Sequence, residues 1–265
     1  MPFAKFPDVE IHYEWAGREN LPVLVFSNSL GTNLLMWDPQ IPEFRRHFRV
    51  LRYDTRGHGK SGVTPGPYSI EQLGWDVIRL LDALQIDRAH FCGLSMGGMI
   101  GIFLGANAAK RLHRLVLCNT AAKIGTAETW NARIQAVQNG GMKSVARTVI
   151  ERWLTPGYRV AHPSETQAAL AMLEGANPKG YAGCCAAVRD MDQRESLAQI
   201  HVPCLVLTGA HDPVTPPSDA RFLTEHIFDA KYAEVNAAHL SNLEAPDDFN
   251  RHVLQFLCLE GACDG

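Results

Sequence analysis

The chain has 265 residues, with 25 lysines and arginines against 28 aspartates and glutamates, and 46% of its residues are hydrophobic. This apolar content excludes an intrinsically disordered chain, and the net charge of −3 argues against a dedicated nucleic-acid binder. The N-terminal residues lack the basic and apolar regions of a signal peptide, and no apolar run approaches the roughly 18 residues of a membrane span. A soluble cytoplasmic protein is therefore expected.

Seven cysteines are scattered along the chain without a Cys-x-x-Cys spacing. The chain also has no His-x-His or His-Glu-x-x-His pair, the arrangements that commonly hold zinc. The sequence thus predicts no metal site.

The predicted elements alternate between strands and helices over most of the chain. Residues 9–15 alternate between apolar and polar side chains, which indicates a half-buried strand. Continuous apolar runs, typical of strands buried on both faces, follow at residues 22–26, 48–53, 89–92, 112–118, 203–208 and 231–235. Helical patterns occupy residues 69–83, 96–109 and 245–258, the first opened by the capping box Ser69-x-x-Gln72. This order predicts the α/β class, with a mostly parallel central sheet and helices on both faces.

The alternation stops between residues 121 and 189, where the pattern predicts three or four short helices and no strand. We interpret this segment as a helical cap inserted after the sixth or seventh strand. The chain then divides into a core part at 1–120, the cap at 121–189 and a second core part at 190–265.

The predicted cap is basic. It contains eight lysines and arginines against four glutamates, so the rest of the chain must carry −7 for the total to be −3. Extending the boundary to Asp192 reduces the positive excess to two charges. A basic cap over an acidic body favours a small ligand that bears a carboxylate.

The motif Gly93-x-Ser95-x-Gly97 lies between a predicted strand and a predicted helix, which is the context of a nucleophile elbow. A serine nucleophile needs a histidine base that a carboxylate orients. Asp212 and His239 follow the last two predicted strands, in the chain order serine, acid, histidine. Each of these residues alone has an ordinary interpretation as a turn residue. Their order and their placement at strand ends predict a catalytic triad.

The same mechanism needs two N–H donors for the oxyanion that forms during acyl transfer. The N–H of Met96, directly after the nucleophile, is expected to be one of them. The loop at residues 27–32 is expected to supply the other through Leu30, although a plain turn is the alternative for this loop. His211 precedes the acid on the same turn, so we interpret it as a turn residue and not as a competing base.

The glycine-rich loop at residues 54–61 follows another predicted strand. It lacks the glycine spacing of the known phosphate-binding motifs. We therefore predict a structural network of turns at this loop in preference to a ligand site.

Taken together, these motifs resemble the α/β-hydrolase superfamily across nearly the whole chain: Asp54-x-Arg-Gly-x-Gly-x-Ser61, Gly93-x-Ser95-x-Gly97, Gly209-x-x-Asp212 and His239. A narrower resemblance is to the 3-oxoadipate enol-lactonases of bacterial aromatic catabolism. It rests on Asn28-Ser-Leu-Gly-Thr-Asn-Leu-x-x-Trp37, Cys92-Gly-Leu-Ser-Met-Gly-Gly98 and Thr129-Trp-x-x-Arg133-Ile. Many superfamily members carry His-Gly where this chain has Asn28-Ser29, and the lactonases share this departure. The resemblance implies hydrolysis of 3-oxoadipate enol-lactone to 3-oxoadipate by a Ser-Asp-His mechanism that uses no cofactor.

Arg133 is the candidate for binding the substrate carboxylate, because it shares a helix face with Trp130 and Ile134. An arginine at the edge of the cap, with its charge in solvent, is the alternative. Trp130 and Trp153 are further substrate-binding candidates, for which a place in the core of the cap is the alternative.

Other functions remain open at this point, because one fold supports many activities. Within the enzyme class they are a carboxylesterase, a carbon–carbon bond hydrolase and a cofactor-free peroxidase. A non-catalytic ligand receptor is the alternative outside that class, but a receptor would not need all three triad residues. The expected partner is a small lactone with a carboxylate, not a nucleic acid or a membrane, and the oligomeric state is left open.

Overall fold

A computed structural model describes residues 2–258, whose strands form one eight-stranded sheet. The strands are β1 Phe3–Lys5, β2 Glu10–Ala16, β3 Val23–Ser27, β4 Arg49–Tyr53, β5 Ala89–Leu94, β6 Leu112–Cys118, β7 Cys204–Gly209 and β8 Lys231–Val235. All seven strands predicted from the sequence are present. The edge strand β1 was not predicted, because three residues are too few to show a periodicity.

The sheet has the order β1-β2-β4-β3-β5-β6-β7-β8. The pairs β1–β2 and β2–β4 are antiparallel, and the pairs from β4 to β8 are parallel. Every residue of β5 and β7 is buried, as expected for parallel strands that helices cover on both faces. The carboxyl ends of six parallel strands consequently meet at one edge of the sheet, where ligand sites of such folds lie.

The helices are α1 Ile41–Phe44, α2 Ile70–Ala83, α3 Met96–Asn107, α4 Ala127–Gly140, α5 Lys143–Trp153, α6 Pro156–Ala161, α7 Pro163–Glu174, α8 Pro178–Asp190, α9 Pro217–His226, α10 Ser241–Glu244 and α11 Pro246–Leu257. Ser69 caps α2 as predicted, since its Oγ accepts the N–H of Gln72 at 3.0 Å. The predicted helices at 96–109 and 245–258 correspond to α3 and α11 within two residues at each end. Among the described residues, no helix is both long enough and apolar enough to cross a membrane.

Five helices, α4 to α8, lie between β6 and β7, so the insertion follows the sixth strand and the expected count of three or four is wrong. The sequence pattern predicts helices at residues 128–137 and 142–154 and helix starts at Ser164 and Asn177, which correspond to α4, α5, α7 and α8, so α6 is the helix that was not predicted. Thr155 and Pro156 resemble a stop signal for α5, but the Thr155 side chain accepts the Tyr158 N–H and Pro156 is the first helical residue. The division of the chain at residues 121 and 189 stays a prediction.

The loop at residues 54–61 forms the predicted network of turns. The Asp54 carboxylate accepts the N–H groups of Leu34 and Lys60, each at 2.9 Å, and lies 2.8 Å from His12 Nδ1. Arg56 makes two 2.7 Å hydrogen bonds to the Asp76 carboxylate on α2. The charged side chains of Asp54 and Arg56 thus have structural partners.

Candidate active site

Ser95 occupies a sharp turn between β5 and α3. Its φ of 57° and ψ of −115° are unfavourable for a residue with a side chain, and such strain persists only where neighbouring structure enforces it. Here the Ser95 N–H donates to the carbonyl of Cys118 on β6 at 2.9 Å, and the Thr120 hydroxyl donates to the Ser95 carbonyl at 2.7 Å. These two bonds hold the turn on the carboxyl end of the neighbouring strand.

The two glycines of the elbow motif are required by close backbone contacts. A Cβ atom at Gly97 would lie 2.1 Å from the carbonyl oxygen of Ser27, and one at Gly93 would lie 2.1 Å from the carbonyl oxygen of Gly97. Any side chain at either position would therefore push the turn off the sheet edge.

His239 and Asp212 form a buried pair at the ends of β8 and β7. The distance from His239 Nδ1 to Asp212 Oδ2 is 2.8 Å. The second carboxylate oxygen accepts the N–H groups of Val214 at 2.7 Å and Thr215 at 3.1 Å. The Thr215 hydroxyl and the Asn119 amide donate to Oδ2 at 2.8 and 2.9 Å.

These contacts decide the ionisation of Asp212. Burial raises the pKa of its carboxyl, but the charge of His239 and the hydrogen bonds from His239, Asn119 and Thr215 outweigh burial, and the pKa lies below the ordinary value. Asp212 is therefore ionised at neutral pH and only accepts hydrogen bonds. Nδ1 of His239 therefore carries the proton of this hydrogen bond, which leaves Nε2 as the ring nitrogen that can act as a base.

Ser95 and His239 line the same cavity, which has a volume of about 40 Å³. Every residue that the sequence analysis selected for the oxyanion or the substrate also lines it, namely Leu30, Met96, Trp130, Arg133 and Trp153. Asp212 lies behind His239 and does not reach the cavity wall. The elbow, the ends of β3 and β8, and the cap helices α4 and α5 thus converge on one pocket.

The backbone N–H groups of the residues before and after Leu30 already have acceptors. The Ser29 N–H points to Met36 Sδ at 3.3 Å, and the Gly31 N–H donates to His58 Nε2 at 2.9 Å. Met96 is the first residue of α3, where an N–H has no partner within the helix. The N–H groups of Leu30 and Met96 are therefore available to donate hydrogen bonds to an oxyanion.

Asn28 fixes the start of this loop. Its Nδ2 donates to the Tyr53 carbonyl at 2.7 Å, and its Oδ1 accepts the indole N–H of Trp37 at 3.0 Å. The residue that departs from the general superfamily pattern is therefore a buried structural anchor.

Arg133 lies half-buried on α4, with its guanidinium carbon 5.0 Å from the ring centre of Trp130. Trp130 and Trp153 are 8% and 4% exposed, so both belong to the core of the cap while each also forms part of the cavity wall. Tyr181 on α8 lines the same side of the pocket as Arg133.

Besides Tyr181, three polar residues that contribute to the site were not selected from the sequence. Arg152, in the last turn of α5, also lines the cavity. Its position directly before Trp153, a substrate-binding candidate, is the sequence feature that could have identified it. Asn119 and Thr215 hold Asp212, and Asn119 directly follows β6 at the same sheet edge as the elbow. A polar residue directly after a parallel strand is the pattern that would have identified Asn119.

Comparison with known proteins shows what this chain is similar to. A family model of the alpha/beta hydrolase fold matches residues 22–151. The chain is 46% identical to 3-oxoadipate enol-lactonase 2 of Acinetobacter baylyi over 246 residues, which cover 93% of this chain and 92% of that protein. It is 41% identical to 3-oxoadipate enol-lactonase 1 of the same organism over 233 residues, covering 88% and 87% of the two chains.

Among solved structures, the enol-lactonase from Burkholderia xenovorans LB400 has a TM-score of 0.95 at 44% identity, over 97% of this chain and 99% of that one. Fold and sequence agree over almost the full length of these relatives. The chain belongs to the α/β-hydrolase family, in the group that contains the 3-oxoadipate enol-lactonases.

Proposed function

We propose that this protein hydrolyses 3-oxoadipate enol-lactone to 3-oxoadipate, with Ser95 as nucleophile, His239 as base and Asp212 as the acid that orients the base. The observation that carries the proposal is the composition of one cavity. Ser95 and His239 line it together with two arginines, Arg133 and Arg152, and no aspartate or glutamate is among its described lining residues. The lactone bears one carboxylate, which a guanidinium binds well.

The first half of the reaction forms an acyl-enzyme. His239 Nε2 takes the proton of Ser95 as the hydroxyl oxygen attacks the lactone carbonyl. The N–H groups of Leu30 and Met96 stabilise the oxyanion. The ring C–O bond then breaks, and the departing enolate takes the proton from His239. An enolate is a better leaving group than an alkoxide, and the enol then tautomerises to the ketone.

The second half releases the product. His239 removes a proton from water, which attacks the acyl carbonyl and passes through a second oxyanion at the same two N–H groups. Collapse of that oxyanion returns the proton to Ser95 and frees 3-oxoadipate with a second carboxylate. Asp212 stays ionised throughout, because its lowered pKa disfavours protonation, and it stabilises the positive charge on His239 in both halves.

The test is a comparison of kcat/KM for three substrates: 3-oxoadipate enol-lactone, α-angelica lactone and p-nitrophenyl acetate. α-Angelica lactone has the same enol-lactone ring with a methyl group in place of the carboxymethyl group, so it isolates the carboxylate. We expect kcat/KM for the carboxylate-bearing lactone to exceed that for either other substrate by about 100-fold or more, because binding energy from its carboxylate is used in the transition state. The highest kcat/KM on p-nitrophenyl acetate would instead support a carboxylesterase.

Replacing Arg133 with alanine is expected to raise KM for the carboxylate-bearing lactone by about 10-fold to 100-fold, the worth of one charge-assisted hydrogen bond. KM for α-angelica lactone should change by less than about threefold, because that substrate offers no partner for the guanidinium. Arg152→Ala should show the same selectivity.

Arg147→Ala is the matched control for these variants, since Arg147 is exposed on the same helix as Arg152, pairs with Glu151 and does not line the cavity. Steady-state kinetics on both lactones measure the effect. Equal changes in KM for the two lactones would contradict carboxylate binding by these arginines.

A further inference from the structure

The oxyanion loop, residues 27–32, contacts the last residue of β4 and the segment that follows it. Asn28 is bonded to the Tyr53 carbonyl, and Ser27 Oγ lies 2.7 Å from the Tyr53 hydroxyl oxygen. Farther along, His58 Nε2 accepts the N–H of Gly31 at 2.9 Å. The contact from His58 is the one next to Leu30, whose N–H is a proposed oxyanion donor.

His58 is buried, with only 1% of its surface exposed, and its other ring nitrogen faces two groups. Nδ1 lies 3.5 Å from the carbonyl oxygen of Arg56 and 3.8 Å from Cys184 Sγ on α8. Burial lowers the pKa of His58 to about 4, although the Arg56 carbonyl and the charge of Asp54 act in the opposite direction. The ring is therefore neutral at neutral pH, with the proton on Nδ1 and a lone pair on Nε2 for Gly31.

The other side of Gly31 is confined by the cap. Gly31 has a φ of +84°, and a Cβ atom there would lie 2.6 Å from Leu173 Cδ1 and 3.0 Å from Tyr181 Cε2. The peptide between Leu30 and Gly31 thus lies between His58 on one side and the helices α7 and α8 on the other. His58 is the acceptor for the N–H of this peptide.

We propose that His58 is a positioning residue for the oxyanion hole, which orients the backbone at Leu30 by accepting the Gly31 N–H. The inference rests on the proposed function only in assigning Leu30 to oxyanion stabilisation. His58 does not line the cavity, so it acts through the loop. Because the oxyanion exists only near the transition state, removal of this acceptor lowers kcat and leaves KM nearly unchanged.

Two amide variants separate this role from a general need for a polar residue. A glutamine side chain places its oxygen near the position of Nε2, whereas asparagine is one methylene shorter and reaches only the position of Nδ1. His58→Asn should lower kcat by about 10-fold to 100-fold, somewhat less than deletion of an oxyanion donor. His58→Gln should stay within about fivefold of the unmodified protein, and KM should change by less than about threefold in both variants.

Two further measurements distinguish positioning from loss of structure. Titration with a fluorophosphonate counts reactive Ser95 per chain, so kcat is expressed per active site. Phenylboronic acid forms a tetrahedral adduct on an active-site serine, and its Ki should rise in parallel with the loss of kcat. The proposal would be overturned if a variant has fewer titratable serines per chain but an unchanged kcat per active site and an unchanged Ki. It would also be overturned if the two variants have equal kcat per active site.

A measurement on the unmodified protein tests whether His58 Nε2 can accept the Gly31 N–H, even if both variants fail to fold. The ¹⁵N NMR signal of His58 Nε2 should be that of an unprotonated nitrogen at pH 7, and a protonated Nε2 would overturn the proposal. All kinetic measurements also include p-nitrophenyl acetate as a substrate. Hydrolysis of this ester without activity on the enol-lactone rejects the proposed function while the test of His58 proceeds, and inactivity on both rejects both proposals.

Discussion

Replacing Ser95 with alanine is expected to lower kcat for lactone hydrolysis by about 10⁴-fold or more, the loss seen when a serine nucleophile is removed from such a triad. The hydroxyl oxygen is the only atom removed, and the Cβ atom with its strained backbone remains. Stability should therefore change little, and the thermal midpoint of the variant should stay within a few degrees of the original. Steady-state kinetics on the lactone and thermal unfolding give the two readouts.

The matched control is Ser164→Ala, because Ser164 is exposed near the start of α7 and does not line the cavity. Its kcat should equal that of the unmodified protein. Mass spectrometry after mixing with p-nitrophenyl acetate should find an added acetyl group on the unmodified protein and on Ser164→Ala only. Near-normal turnover by Ser95→Ala would refute the acyl-enzyme mechanism.

Replacing His239 with alanine is expected to reduce kcat by about 10⁴-fold to 10⁶-fold, since Ser95 then has no base and the leaving enolate no acid. The residual rate should increase with pH up to the limit of stability, because hydroxide in solvent replaces the missing base. Measurement of kcat/KM between pH 6 and 9 would show this increase.

His211→Ala is a demanding control for this variant. His211 is adjacent to Asp212 in the chain, but it is exposed, and its Nε2 contacts Asn236 Oδ1 at 2.9 Å. It does not line the cavity with Ser95, so its removal should leave kcat within about twofold. A comparable loss of activity in both variants would mean that the base has been wrongly assigned.

Local sequence patterns were sufficient for the strands that form the parallel sheet and for the elbow. Each buried strand is a short continuous apolar run, and the elbow is defined by spacing within five residues, Gly93 to Gly97. Such features depend on backbone geometry close in sequence, so a linear pattern contains their physical cause. The cap helix α6 shows the limit of this reasoning, because the same Thr-Pro pair that ends one helix also begins the next.

For Arg133 and Arg152, the local sequence pattern does not determine whether the side chain faces the pocket. Both are basic residues on amphipathic cap helices, and the sequence favoured only the one that shares a face with tryptophan. Whether a guanidinium faces solvent or the pocket depends on how α4 and α5 pack over the sheet edge. His58 is a similar case, since its partner Gly31 is 27 positions away and becomes its neighbour only through the pairing of β3 with β4.

The sequence by itself determined the fold class, the order of the strands along the chain and the three residues proposed as the triad, because each depends on short-range periodicity or on placement at a strand end. Only the tertiary structure decided which cations face the cavity, how Asn119 and Thr215 keep Asp212 ionised, and which side chain holds the Gly31 N–H. The physical reason is distance along the chain. Hydrogen bonds and cavity walls join groups that are a few ångströms apart in space. Pairs such as Asn119 and Asp212, or Ser95 and His239, are far apart in the chain and come together only when the sheet and the cap have packed.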